Sequence, residues 1–363
     1  MLPAGSLAAA VLATGWLLTA PAPPVPVAAS GPPSPAAPGD ARPTLAHSRG
    51  CRRPGVLADG VAFQPLLYGD ATTAVGTAPT PAGDAVRLLL PDRCGVRHLQ
   101  RVAQDRQPQF LGFAVADGVL FWTELRVSTG IGQASTEIWR VPLSGSALAS
   151  LLTKDAGAAV FFESQYDLVV ADGRVHWVAA APGDALVTEV RSVPVVGGPV
   201  RVDRVTGAFA LSAWPWLHSA PGVGSGPMRL RRLDTGAETV VAAPPLERVV
   251  WCRSIVSGAG AATRYDLVRP DGSDRRRIGG GTPSAVLYDV ALLDRFEPVS
   301  DAAGASATTL GLRLLLSDLT DGRLVLVTET TGQVLGRDGV LWWSTGDQEA
   351  LVWHSLDLRT LPR

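Results

Sequence analysis

Lysine is almost missing: Lys154 is the only one in 363 residues. Cysteine (3), methionine (2), tyrosine (4) and histidine (5) are also scarce. With 32 basic residues against 33 acidic ones, neither sign dominates, so no global field directs the chain to nucleic acid or to anionic lipid. No Cys-x-x-Cys is present, which argues against a structural zinc site. His47, His98, His176, His218 and His354 do not pair at metal-ligand spacing, so neither a metal nor another cofactor is expected. There is no Gly-x-Ser-x-Gly elbow, and the glycine-rich pieces at 222–226 and 279–281 lack the Lys-Ser/Thr and helix of a phosphate loop. Helix-period segments are few, so the chain has little with which to cover a parallel sheet.

One apolar run stands out, Leu7–Ala20. It is short for a membrane span and suits the hydrophobic region of a signal peptide over residues 1–29, with cleavage before Ser30. No Lys or Arg precedes it, so an uncleaved anchor is the alternative. Residues 30–43 are Pro/Ala-rich and read as a disordered linker, leaving 44–363 as the folded domain. The mature chain is expected to be secreted or extracytoplasmic, without a membrane span and monomeric. In that compartment Cys51 with Cys94 is a candidate disulfide; the alternative is three thiols, with Cys252 filling core beside Trp251.

What is abundant is turn chemistry: 39 glycines and 29 prolines. Asp-Gly pairs at 59–60, 117–118, 172–173 and 338–339 each precede a short apolar segment with a large aromatic, such as Val119-Leu120-Phe121-Trp122 and Val340-Leu341-Trp342-Trp343. Both central positions of a two-residue hairpin need φ > 0, which Asp-Gly tolerates. Second turns fall at Asp92-Arg93, Ser144-Gly145, Gly197-Gly198, Thr235-Gly236, Asp271-Gly272, Asp321-Gly322 and near Asp357, each after a strand carrying Arg or Trp. Their spacing runs from 36 (271 − 235) to 53 (197 − 144) residues, which fits seven four-stranded propeller blades. Segments such as VLFW, VLWW and LRLLL are apolar on successive residues, as expected where both faces of a sheet are dry. The tryptophans are then wedges between blades. The fold class is therefore all-β, a β-propeller of seven blades with four antiparallel strands each. Six blades, or two consecutive β-sandwiches, are the alternatives. A segment between about 43 and 56 is expected to close the ring by pairing with the last unit.

The pattern DGVLFW…EIWRVPLSG resembles the secreted β-propeller repeats of the TolB-like and YWTD-like kind, over roughly residues 58–361. The YWTD tetrad is absent, and the middle units lack Asp-Gly, so the resemblance implies a fold and carries over no partner.

With strands 1 to 4 running outward from the axis, the tight turns 1–2 and 3–4 share one end. The longer 2–3 and 4–1 connections share the other, and function favours variable loops on a rigid scaffold. Glu124, Arg126, Lys154, Asp155, Glu163, His218, Arg295, Glu297 and Asp347 are expected near that loop end. Glu124, Lys154, Asp155, Glu163, His218, Arg295 and Glu297 are the ligand-binding candidates. The first functional reading is a non-catalytic binding protein that meets a protein or cell-envelope component with this end. The second is a propeller-type enzyme, a lyase or lactonase-like hydrolase, using His218, Glu163 and Glu297 at the channel mouth.

Overall fold

Asp117-Gly118 (φ 50° and 72°), Asp172-Gly173 (50° and 68°) and Asp338-Gly339 (49° and 79°) all take left-handed backbone at both residues. That is the geometry a two-residue hairpin needs to match strand twist. A side chain at position 339 would also come within 2.8 Å of Leu293, so this glycine makes room for a neighbouring element. The computed structural model describes residues 51–362, except 93–94, 128–133, 184–185, 220–227, 241–250, 257–263, 270–272, 279–283, 288, 302–311 and 348–349. The expected signal peptide and linker lie outside the described residues, as do Cys94 and the Cys51 side chain.

The named strands form seven antiparallel sheets, numbered here as blades in chain order. The chain begins with β1 (Cys51–Pro54). Blade 1 is β2 (Gln64–Tyr68), β3 (Ala74–Pro79), β4 (Ala85–Asp92) and β5 (Gly95–Ala103). Blade 2 is β6 (Gln109–Ala116), β7 (Val119–Val127), β8 (Ala134–Pro142) and β9 (Ser150–Thr153). Blade 3 has a divided inner strand, β10 (Ala158–Ala159) and β11 (Val169–Ala171), then β12 (Arg174–Ala180), β13 (Val187–Pro194) and β14 (Arg201–Thr206). Blade 4 is β15 (Phe209–Leu211), β16 (Trp216–Ser219), β17 (Arg229–Arg232) and β18 (Glu238–Val240). Blade 5 shows β19 (Cys252–Val256), β20 (Arg264–Val268) and β21 (Arg276–Arg277) among the described residues. Blade 6 is β22 (Ser284–Ala285), β23 (Phe296–Asp301), β24 (Leu312–Asp318) and β25 (Leu324–Thr331). Blade 7 is β26 (Val334–Arg337), β27 (Val340–Thr345) and β28 (Val352–Asp357), with β1 as its outer strand. Cys51 stands opposite Ser355 and Pro54 opposite Val352, so the ring is closed by the segment expected to do so.

Seven apolar clusters hold the ring, and each joins two neighbouring blades. Trp122 packs with Leu67 and Leu88 of blade 1, and Trp177 with Phe121 and Ile138 of blade 2. Trp251 packs with Val299 and Leu315 of blade 6, and Trp343 with Phe296 and Leu316 of the same blade. Trp342 and Trp353 meet Phe63, Tyr68 and Leu89 across the closure. These side chains are wedges, as the runs VLFW and VLWW suggest, and truncating one costs about 3–5 kcal/mol. Among the described residues the blade 4–5 cluster is the smallest, with Met228, Leu230, Cys252 and Val268.

The arginine-for-lysine bias has a structural use. Arg97 donates to Pro142 O (2.9 Å), Arg140 to Val195 O (2.6 Å), Arg276 to Leu319 O (2.5 Å) and Arg359 to Gly69 O (2.8 Å). Each reaches from one blade to a backbone carbonyl of the next. A planar guanidinium offers several donors in fixed directions, which an ammonium cannot.

Two expectations need correction. Asp59-Gly60 is not an inner hairpin turn: it lies between β1 and β2, where Val56 bridges to Ala62, and the blade 1 inner turn is formed by residues 69–73. The inner strand of blade 3 is also not continuous. Ala159 pairs with Ala179 and Val169 with His176, so nine residues (160–168) stand opposite only 177 and 178 and leave the sheet.

Candidate binding face

Strand alternation assembles a charged cluster at the 2–3/4–1 end of blades 2 and 3. Glu124 and Arg126 are two apart on β7 and so share a face; Glu124 stands directly opposite Glu137 on β8. Facing like charges destabilise a strand pair unless a cation intervenes. Arg126 is that cation: its Nε donates to the buried Glu124, and its Nη2 lies 3.8 Å from Glu137 Oε2. Burial opposes the charge on Arg126, but Glu124 and Glu137 outweigh it and raise the guanidinium pKa. Gln100 of blade 1 donates to Glu124 Oε2 (3.3 Å), and Arg126 lies over the Trp139 ring at 5.8 Å. Lys154 Nζ is 3.8 Å from Glu137 Oε1.

Blade 3 repeats the arrangement one step round the ring. Buried Glu189 accepts from Arg191 Nε (2.9 Å) and Arg204 Nη2 (3.1 Å), and Arg191 Nη1 reaches Asp155 Oδ1 (2.7 Å). Burial alone would raise the Glu189 pKa, yet the two guanidinium groups hold it below the ordinary carboxylate value. The tips of this cluster are in water: the side chains of Lys154 and Asp155 are 73% and 68% exposed.

The sequence candidates divide. Glu124, Lys154 and Asp155 lie together at the expected end, with Arg126 beside them; Asp347, accepting from Ala350 N (2.9 Å), is in the 2–3 connection of blade 7. Arg295 and Glu297 lie at the opposite end, because β23 starts at Phe296 and the segment before it is the 1–2 connection of blade 6. Arg295 stacks on Phe296 (4.5 Å) and holds Asp318 beside the 3–4 turn (2.6 Å). Glu297 is fully buried and bonded to Arg253 and Tyr265. His218 is buried on β16, its Nδ1 3.1 Å from Ser219 O, and burial lowers its pKa. Glu163 is exposed, at φ 60°, within the segment that leaves blade 3. His218, Glu163 and Glu297, the residues of the enzyme reading, thus occupy three different settings.

Glu137, Glu189, Arg191 and Arg204 were not singled out from sequence. A signal for two of them exists: Glu124-Leu-Arg126 and Glu189-Val-Arg191 share the spacing that puts both charges on one strand face.

The strand order defines a seven-bladed β-propeller with a charged loop end over buried ion pairs. No family model and no curated protein matches the chain. Among solved structures it is similar to puromycin hydrolase (12% identity, TM-score 0.46, covering 81% of this chain). It is also similar to TolB from Acinetobacter baumannii (14% identity, TM-score 0.39, 74% of this chain and 66% of that one). A third is the β-propeller domain of the Trilobed protease from Pyrococcus furiosus (7% identity, TM-score 0.46, 69% of this chain and 83% of that one). The chain spans only 54% of the length of the hydrolase. At these identities the likeness concerns fold alone.

Proposed function

We propose that the protein is an extracytoplasmic, non-catalytic binding protein that engages a protein or cell-envelope component through the 2–3/4–1 end of its propeller. The observation that carries this reading is the blade 2–3 cluster. Buried Glu124 and Glu189 fix the arginines, and Lys154 and Asp155 stand above them in water as adjacent charges of opposite sign. Such a pair adds little stability and can orient a charged partner. The Leu7–Ala20 run supports the location, and no helix among the described residues is long and apolar enough to cross a membrane.

Reversing both charges, Lys154→Glu with Asp155→Arg, is expected to weaken capture of an envelope component by about tenfold or more. Stability should shift by less than about 0.5–1 kcal/mol. The comparison is a crosslinking pull-down from an envelope fraction beside a thermal melt. Equal capture by both proteins would remove the reading.

We also propose the Cys51–Cys94 disulfide, which would fasten the closing strand to blade 1. Supporting it, Arg53 on the strand of Cys51 donates to Pro91 O (3.3 Å), and Pro91 is three positions before Cys94 in the chain. Burial pushes the Cys252 thiol up to about 11, so it should not react in the native protein. Thiol titration of unreduced protein should find none when native and one after denaturation; three after denaturation would exclude the bond.

A further inference from the structure

Residues 160–168 interrupt the strand of blade 3 that lies nearest the axis. Ala159 stands opposite Ala179 and Val169 opposite His176, so two residues would carry that strand past 178 and 177. Val160 N still donates to Val178 O (3.1 Å), and the chain then departs. The extra length is not a surface loop, since Ser164, Gln165 and Asp167 are only 4%, 6% and 5% exposed. It folds around Asp167, whose Oδ1 accepts from Phe162 N (2.8 Å) and whose Oδ2 accepts from Ser164 N (3.2 Å).

Its outside partners belong to blades 6 and 7, the two farthest from blade 3 in a ring of seven. Ser164 Oγ donates to Asp289 Oδ1 (3.2 Å) and Gln165 N to Asp289 Oδ2 (3.2 Å), in the stretch between β22 and β23 of blade 6. From blade 7, Arg337 Nη2 donates to Ser164 O (2.9 Å) and Asp338 N to Gln165 Oε1 (3.1 Å). Arg337 Nη1 continues to Phe113 O of blade 2 (2.8 Å). A span from blade 3 to blades 6 and 7 can run only across the axis. Asp289 follows the inner strand of blade 6 and Arg337 ends that of blade 7, so the crossing lies toward the 1–2 turns.

Blade 2 is shaped to receive it. The ladder of β6 with β7 shifts register between Leu111 and Phe113, and Gly112 between them is left-handed (φ 42°). A Cβ at position 112 would come within 3.2 Å of Phe161. A glycine bulge of this kind lets another part of the chain approach closely. Asp289 and Arg337 are 3% and 8% exposed, so the meeting point is dry from both ends of the ring.

A propeller ordinarily keeps a channel along its axis. We propose that residues 161–167 are an axial plug, which shuts that channel at the 1–2 end and leaves the 2–3/4–1 end as its one entrance. The channel is then a blind recess and not a passage, and its floor is tied to three blades besides its own.

The test is arginine modification of the full chain by phenylglyoxal, read by peptide mass, beside amide hydrogen exchange. Arg337 should react at least about tenfold more slowly than Arg101, whose side chain is 62% exposed. Deleting 161–167 joins Val160 to Leu168 and leaves two residues to continue the strand. Arg337 should then react about tenfold faster, with exchange over β24 unchanged. Asp289→Ala keeps the plug at full length but removes two of its anchors. Exchange over 161–167 and modification of Arg337 should both quicken about tenfold in that variant. Arg337 reacting as fast as Arg101 in the unaltered protein would overturn the proposal. So would a folded deletion variant whose Arg337 stays slow, or unchanged exchange over 161–167 in Asp289→Ala. Failure of the deletion variant to fold leaves the unaltered protein and Asp289→Ala to decide by the same two readouts.

Discussion

Glu297→Ala is expected to destabilise the protein by about 3–5 kcal/mol, the usual penalty for breaking a buried ion pair from one side. Glu297 and Arg253 are both fully enclosed between blades 5 and 6. The carboxylate accepts from Arg253 Nε (3.1 Å) and Nη2 (2.7 Å), from the Tyr265 hydroxyl, and from Ala291 N (2.7 Å). Alanine would leave the guanidinium with the carbonyls of Leu287 (3.0 Å) and Asp289 (3.2 Å) but without its carboxylate. The Tyr265 phenol, raised in pKa by burial and by Glu297, stays protonated and would lose its acceptor. The double variant Arg253→Met/Glu297→Leu should recover most of the loss, since apolar replacement of a whole buried pair is often neutral or better. Urea denaturation measures both. A Glu297→Ala protein within about 1 kcal/mol of the parent would mean that the pair is not buried as described.

Deleting Cys51–Pro54 should have the second large effect. Four residues pair with β28, and Arg53 adds bonds to Thr72 O (2.9 Å) and Pro91 O (3.3 Å) of blade 1. At about 1 kcal/mol for each net hydrogen bond, the loss is about 3–5 kcal/mol. For a domain of this size that lowers the thermal midpoint by roughly 5–8 °C. It also bares the edge of β28, an invitation to self-association. An unchanged midpoint would show that the ring closes in another way.

The architecture was legible because its devices are local. Asp117-Gly118 and Asp338-Gly339 announce turns, and paired aromatics such as Trp342-Trp343 announce a sheet buried on both faces. The site was legible only in part. Phe296–Asp301 reads as loop because Glu297, Ser300 and Asp301 are polar and Pro298 disfavours a strand, yet every residue of that strand is buried. Its polarity is satisfied by Arg253 and Arg313 (3.0 Å from Asp301), partners that a period-2 pattern cannot foretell. With β23 unrecognised, Arg295 and Glu297 are expected at the loop end, whereas the structure has them at the 1–2 end of blade 6. The segment Val160-Phe161-Phe162 has strand-like composition, and only the distant Asp289 and Arg337 show that it leaves the sheet. Asp59-Gly60 carries the right dipeptide in a different connection, where Leu57 N and Val61 O close the local turn (2.9 Å).

The pairing of β1 with β28 joins residues 298 (352 − 54) to 304 (355 − 51) positions apart. The fourth strand of blade 7 is therefore made first and must wait for nearly the whole polypeptide before it finds its partner. During synthesis the early blades can assemble one upon another, but the circle stays open until Val352–Ser355 emerges. A chain released short of that point would remain an incomplete arc with an unpaired margin, an easy substrate for proteolysis.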